Sequence, residues 1–89
     1  MNKKELRSKA KTMTATMNIG KEGLTETVIE EIKKQLRQKK LIKIKMMQSL
    51  AQDKNKDDVA AELVEKTDAV LIDRIGFVIV LAIKSAVSE

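Results

Sequence analysis

TATMNIGKEGLTETVIEEIKKQLRQKKLIKIKM, residues 14–46, changes its hydrophobic period twice, and the order of those changes decides the fold. Thr14 to Ile19 is a short run of threonine and apolar residues that stops at a glycine, as a strand does. After Gly20-Lys21-Glu22-Gly23 the spacing becomes helical, with Val28, Ile29, Ile32 and Leu36 on one face. Glu26, Glu30 and Glu31 fill the N-terminal half of that helix, while Lys33, Lys34, Arg37, Lys39 and Lys40 fill its end, the order that the helix dipole favours. Thr25 is suited to cap it, so the spacing predicts a helix over 25–39. At Leu41 the period drops to two: Ile42, Ile44 and Met46 point one way, Lys43 and Lys45 the other, as in a half-exposed strand. Strand, loop, helix and strand in that order make a unit with a right-handed crossover.

Outward from this unit the remaining elements follow. Leu6, Ala10 and Met13 recur at i, i+4 and i+7, with Lys3, Lys4, Arg7 and Lys11 around them, which predicts a helix from Lys3 to about Thr12. Met47 to Lys56 has weak periodicity and reads as a loop. Asp57 or Asp58 can then cap a helix carrying Val59, Leu63 and Val64 to about Thr67. Val70–Ile75 and Phe77–Ile83 form a hairpin pivoting at Gly76. Its second strand is apolar on both faces, the mark of a central strand or one covered on both sides; its first carries Asp73 and Arg74, which suits an edge. The expected architecture is α-β-α-β-α-β-β, a two-layer α+β domain with a mixed four-stranded sheet, spanning residues 1–89 as a single domain. Ile29, Ile32, Leu36, Ile44, Leu63, Ile72, Val80 and Leu81 are its expected core.

Composition restricts the function. The chain has 89 residues with no cysteine and no histidine, so it lacks disulfides, thiolate ligands and the commonest general base. No nucleophile, base and orienting group come together, which argues against an enzyme and against a metal or other cofactor. Charge stands where a signal peptide needs its apolar run, and no apolar stretch approaches the roughly 20 residues of a membrane span. A cytoplasmic location is the resulting expectation. Residues 1–45 hold 13 Lys/Arg against 5 Asp/Glu and residues 46–89 hold 5 against 8, an asymmetry that suits a polyanionic partner on one face.

Gly20-Lys21-Glu22-Gly23 is where that charge meets a usable backbone. Glycines allow positive φ and close approach of a ligand, the following helix offers unpaired N–H groups, and Lys21 adds a mobile cation. A G-x-x-G loop of this kind cradles a nucleic-acid phosphate in KH domains. It lacks the longer spacing and terminal Lys-Ser/Thr of a nucleotide P-loop. The candidate RNA-contacting residues are Gly20, Lys21, Gly23, Lys43 and Lys45, the helical row Lys33, Arg37 and Lys40, and Lys3, Lys4, Arg7 and Lys11 of the first helix. A plain turn accounts for the same glycines, and a solvated flank for the same lysines. Phe77 is the sole aromatic, so a base-stacking platform of the RRM kind is excluded, and binding should depend on phosphates, 2′-hydroxyls and RNA shape.

The run Ile19-Gly20-Lys21-Glu22-Gly23-Leu24-Thr25, the acidic-to-basic helix, and Leu41-Ile42-Lys43-Ile44-Lys45 together resemble the CRM domain, specifically its stand-alone YhbY type. The resemblance covers nearly the whole chain, including the basic first helix and the Ile75-Gly76 hairpin. It implies a fold related to the C-terminal domain of translation initiation factor 3. It also implies RNA binding: bacterial members associate with precursors of the large ribosomal subunit, and plant organellar relatives act in group II intron splicing. On this basis Gly20, Lys21 and Gly23 correspond to the RNA-contacting loop, and Lys43 and Lys45 to the basic strand. The last strand departs from the family, since Leu81-Ala82-Ile83-Lys84 stands where a Tyr-Arg pair is common. An Alba-like chromatin or RNA-binding protein and a pure protein-interaction module are the competing readings; the first helix and the G-K-E-G loop favour the CRM resemblance over Alba.

Overall fold

A computed structural model of the chain describes residues 1–20, 22–47 and 55–87. In order these form α1 (Lys3–Lys11), β1 (Met17–Ile19), α2 (Glu26–Lys39), β2 (Leu41–Met46), α3 (Lys56–Thr67), β3 (Val70–Ile75), β4 (Val78–Ala82) and a 3₁₀ turn at Lys84–Ala86. Each helix starts where a side chain can take up an orphan N–H. Asn2 accepts from Glu5 N–H at 2.8 Å while the Glu5 carboxylate accepts from Asn2 N–H, a capping box. Thr25 Oγ1 accepts from Val28 N–H at 3.2 Å, as the sequence suggests. The cap of α3 is Asn55, whose Oδ1 accepts from Asp57 N–H at 2.8 Å, and not Asp57 or Asp58. Those two aspartates sit in the first turn instead, beside the positive end of the dipole. Most of the loop expected between Met47 and Lys56 falls on residues 48–54, outside the described ones.

The strands assemble in the order β1-β2-β4-β3. β1 pairs parallel with β2, and β4 pairs antiparallel with both β2 and β3, so β1, β2 and β3 run one way and β4 the other. β4 is central and β3 an edge, as their side chains predict. The first strand is shorter than expected. Thr14 to Thr16 stays off the ladder, and Thr16 is fixed by its N–H and hydroxyl, both donating to Lys43 O at 2.8 and 3.1 Å. Ile75 and Val78 close the hairpin through Gly76 and Phe77, with Gly76 at φ 56 as a two-residue turn with glycine first requires.

All eight residues expected in the core are buried. The two-layer expectation, by contrast, is corrected. On one face of the sheet α2 and α3 bury Ile29, Ile32, Leu36, Val59 and Leu63 against Ile19, Ile42, Ile44, Met46, Ile79 and Leu81. On the other face α1 buries Leu6 and Ala10 against Leu41, Ile72, Val80 and Ala82. Helices thus lie on both faces, because α1 carries an apolar stripe of its own that must leave water. A bulge in β3 serves this second core. Leu71 pairs with Leu81 and Asp73 with Val80, leaving Ile72 without a partner and free to turn toward α1.

α1 is also held by β2. The Lys43 ammonium donates to Ala10 O at 3.2 Å, which also accepts from Met13 N–H, and to Met13 O at 3.1 Å, just past the end of α1. Lys43 is half-buried, so its face of β2 is not the open face that the alternation alone suggests; only Lys45 remains exposed there.

Two stability outcomes follow from this packing. Ile32 is fully buried, and Ile32→Ala should lower the unfolding free energy by about 2–5 kcal/mol in a urea titration. Lys43→Met keeps the apolar stem but leaves Ala10 O and Met13 O without a charged donor, and should cost about 1–2 kcal/mol in the same titration. An unchanged midpoint for Lys43→Met would show that water replaces the ammonium at no cost.

Candidate functional site

Because β1 and β2 run parallel, their last residues, Ile19 and Met46, lie at one rim of the sheet, where β4 begins. The candidate loop leaves from this rim. Gly23 N–H donates to Gly20 O at 3.0 Å, closing a four-residue turn. Gly23 has φ 78 and needs to be glycine for that reason. Gly20 does not share the requirement: its φ is ordinary, and a Cβ there would meet only Met47 Sδ, at 3.5 Å. The expectation that both glycines are needed for positive φ is therefore corrected. Lys21 lies outside the described residues. After the turn, Ile29 N–H makes the first helical bond to Thr25 O at 2.9 Å and Val28 N–H goes to the Thr25 hydroxyl. The amides of Glu26 and Thr27 precede those bonds at the positive end of α2. Glu22 and Glu26 are exposed beside them.

Lys45 stands on the same rim. Its register partner on β1 is Asn18, and on β4 it is Val78, which in turn faces Ile75 on β3. This row crosses all four strands on the face that α1 covers further down. Asn18, Lys45 and Ile75 are exposed in it, Ile75 at 60%. Asn18 and Lys45 also line a cavity of about 370 Å³ with Met46, Met47 and Phe77. The Lys56 ammonium lies over the Phe77 ring, 4.4 Å from its centroid.

The remaining cations fall elsewhere. α2 has 14 residues, so its C-terminal lysines are about 20 Å from the Gly20–Gly23 turn. At that far end Lys40 adopts φ 67 and donates its N–H to Leu36 O at 2.9 Å, which gives its backbone the C-cap role while the side chain is exposed. Lys39 and Lys9 line a shared groove of about 500 Å³ with Thr12, Met13, Thr14, Thr16 and Leu41. Arg37 and Lys33 line a smaller cavity against Thr67, Asp68 and Ile83. Lys33 pairs with Glu30 at 3.7 Å, and Lys84 pairs with Asp68 at 2.6 Å. Lys11 is exposed in the last turn of α1, while Lys3 and Lys4 are exposed in its first turn. Arg7 faces β3, with Nε 3.8 Å from Asp73 Oδ2.

The candidate residues thus divide into two basic surfaces. One comprises the glycine turn with Asn18 and Lys45; the other gathers Lys9, Lys11, Arg37, Lys39 and Lys40 at the opposite end of α2. Lys43, engaged with α1, belongs to neither, and Lys33, Arg7, Lys3 and Lys4 also lie outside both. Asn18, Met47, Phe77, Lys9 and Lys39 complete these surfaces without having been singled out. Strand register and the path of α1 bring them in, and neither is written in local periodicity. Among the described residues no group of three or more His, Cys, Asp or Glu is placed to hold a metal ion, and no helix is long and apolar enough to cross a membrane. Two cationic surfaces on a rigid sheet can hold a polyanion at two points.

Comparison with known proteins agrees with the sequence resemblance. The chain is 39% identical over 79 residues to the Probable RNA-binding protein YqeI of Bacillus subtilis, covering 89% of this chain and 80% of the relative. It is 35% identical over 79 residues to the Probable RNA-binding protein MJ0652 of Methanocaldococcus jannaschii, covering 89% of this chain and 58% of that longer protein. The solution structure of the hypothetical protein SAV1595 from Staphylococcus aureus superposes with a TM-score of 0.76 at 33% identity, over 93% of this chain and 84% of that one. The fold is thus shared with that structure. The CRS1/YhbY (CRM) domain model matches residues 1–82, and the chain belongs to that family.

Proposed function

We propose that this chain is an RNA-binding protein that acts without catalysis, as one domain over residues 1–89, and that its target is structured ribosomal RNA in precursors of the large subunit. The observation that carries the reading is the placement of the Gly20–Gly23 turn at the sheet rim beside Lys45 and Asn18, directly before the capped start of α2. A phosphate seated beside the turn meets the N–H groups of Glu26 and Thr27 at the positive end of α2, and the Lys45 ammonium lies on the adjoining face. The second basic surface, about one helix length away, adds phosphate contacts and fixes the orientation of the RNA. Two relatives named as RNA-binding proteins support the partner class, and the family resemblance supports the ribosomal target. Such a protein belongs in the cytoplasm with its RNA.

Charge neutralisation should dominate the affinity, so binding to a structured ribosomal RNA fragment should fall steeply with salt, with a log–log slope of roughly 0.7–0.9 per phosphate contact. Lys45→Ala should lower that slope by about one unit and weaken binding alike for many sequences. Lys21→Asp should weaken it further, because an acid at the turn competes for the same N–H groups. Glu65→Lys, on the remote α3, is the control and should change affinity only as net charge does. A filter-binding titration of the four proteins decides the matter. A salt-insensitive affinity, or equal binding by Lys21→Asp and Lys45→Ala, would leave the glycine turn a purely structural element.

A further inference from the structure

The lone aromatic side chain of the molecule sits at the rim just described. Phe77 is the second residue of the β3–β4 turn, and it is partly exposed although its other contacts are with the main core. One face of its ring carries the Lys56 ammonium at 4.4 Å. It lines the cavity of about 370 Å³ together with Asn18, Lys45, Met46 and Met47. The volume lies within the range of small-ligand sites, roughly 300–1,000 Å³. Its lining residues offer an aromatic ring and the Met47 thioether beside one carboxamide and one ammonium, while the Met46 side chain is buried in the main core. Met47 links this cavity to the glycine turn, since its Sδ is 3.5 Å from where a Cβ on Gly20 would stand and its N–H donates to Ile19 O at 2.9 Å.

We propose that this cavity is a pocket for one unpaired nucleobase of the RNA whose backbone crosses the Gly20–Gly23 turn. The inference rests on the RNA-binding reading above and adds base recognition to what is otherwise phosphate contact. Each wall suits a base. The ring and the Met47 thioether take its flat apolar faces. The Asn18 carboxamide presents a donor and an acceptor side by side, as required to pair with a base edge. The Lys45 ammonium reaches either a keto oxygen or the adjoining phosphate. Lys56 is the resident that a base displaces. A base stacked on an aromatic ring is held more tightly than a partly exposed ammonium over it, so exchange favours the base. The freed ammonium then faces the incoming phosphate. One ring cannot form a platform for successive bases, but it suffices for one, next to a duplex or loop held by its backbone.

The test uses the full chain and two fluorescein-labelled RNAs: an oligoadenylate of roughly ten nucleotides and a perfectly paired duplex of the same length. Because Phe77 is the only aromatic, its ring protons form an isolated set of NMR signals that report on the pocket without overlap. Oligoadenylate should shift those signals and give intermolecular NOEs to adenine protons. Asn18→Ala and Phe77→Leu should weaken oligoadenylate binding roughly tenfold or more with an unchanged salt slope, and weaken it severalfold more than they weaken duplex binding. Asn18 is exposed and its replacement leaves the core intact, so its result stands even if Phe77→Leu perturbs folding. If the parent binds both RNAs while the Phe77 signals stay in place, or if both variants bind oligoadenylate as tightly as the parent, the base pocket is refuted and phosphate binding stands. If the parent binds only the duplex, the base pocket is likewise refuted. If it binds neither RNA, both readings fall together.

Discussion

β2 and β4 pair over five registers, from Leu41↔Ala82 to Lys45↔Val78, and the two cores of the protein meet across that ladder. Ile42, Ile44, Ile79 and Leu81 face α2 and α3, while Leu41, Val80 and Ala82 face α1. Shifting this pairing by one residue would exchange the two faces and expose both sets together. The position of α1, the rim on which β1 ends and the placing of Lys45 all follow from this register. A chain with one aromatic has no large ring to lock its core, and Ile, Leu and Val, stiff in their rotamers, interlock there instead.

The elements themselves were legible because their signals are local. Thr25, the acidic-to-basic gradient and the row Ile29, Ile32 and Leu36 each mark α2 within one or two turns, and the apolar β4 marks itself as central. Tertiary placement was less legible. Alternation tells that Lys43 and Lys45 share a face, but not that α1 ends over one of them, and so a residue expected to meet RNA instead caps a helix. Asn55 caps α3 in preference to two good acidic candidates, which sit in its first turn instead, and composition does not encode that choice. Gly20 and Gly23 look equivalent as letters, yet only one has the left-handed backbone.

Charge shows the same division. A tally of lysines suggests one basic half and hence one patch. The fold places those lysines at both ends of α2, so the same residues serve two surfaces about 20 Å apart. Such an arrangement orients a long polyanion, since two separated contacts fix a direction that a single patch leaves open. The first surface is also the one with apolar and amide groups within reach, and there discrimination can be added to attraction.

The bulge at Ile72 was described as a means of filling the space beneath α1, but it acts on the outer margin of the sheet as well. β3 is an edge strand with no strand on its outer side among the described residues, and Leu71 and Ile75 are exposed on it. An unbroken edge of this kind templates the addition of a strand from another copy, the first step toward amyloid-like stacking. With Ile72 displaced, the spacing of donors and acceptors along β3 no longer matches a straight incoming strand, and Asp73 and Arg74 set charge beside the break. The residue that completes the inner packing therefore also makes the sheet margin a poor template for a second copy.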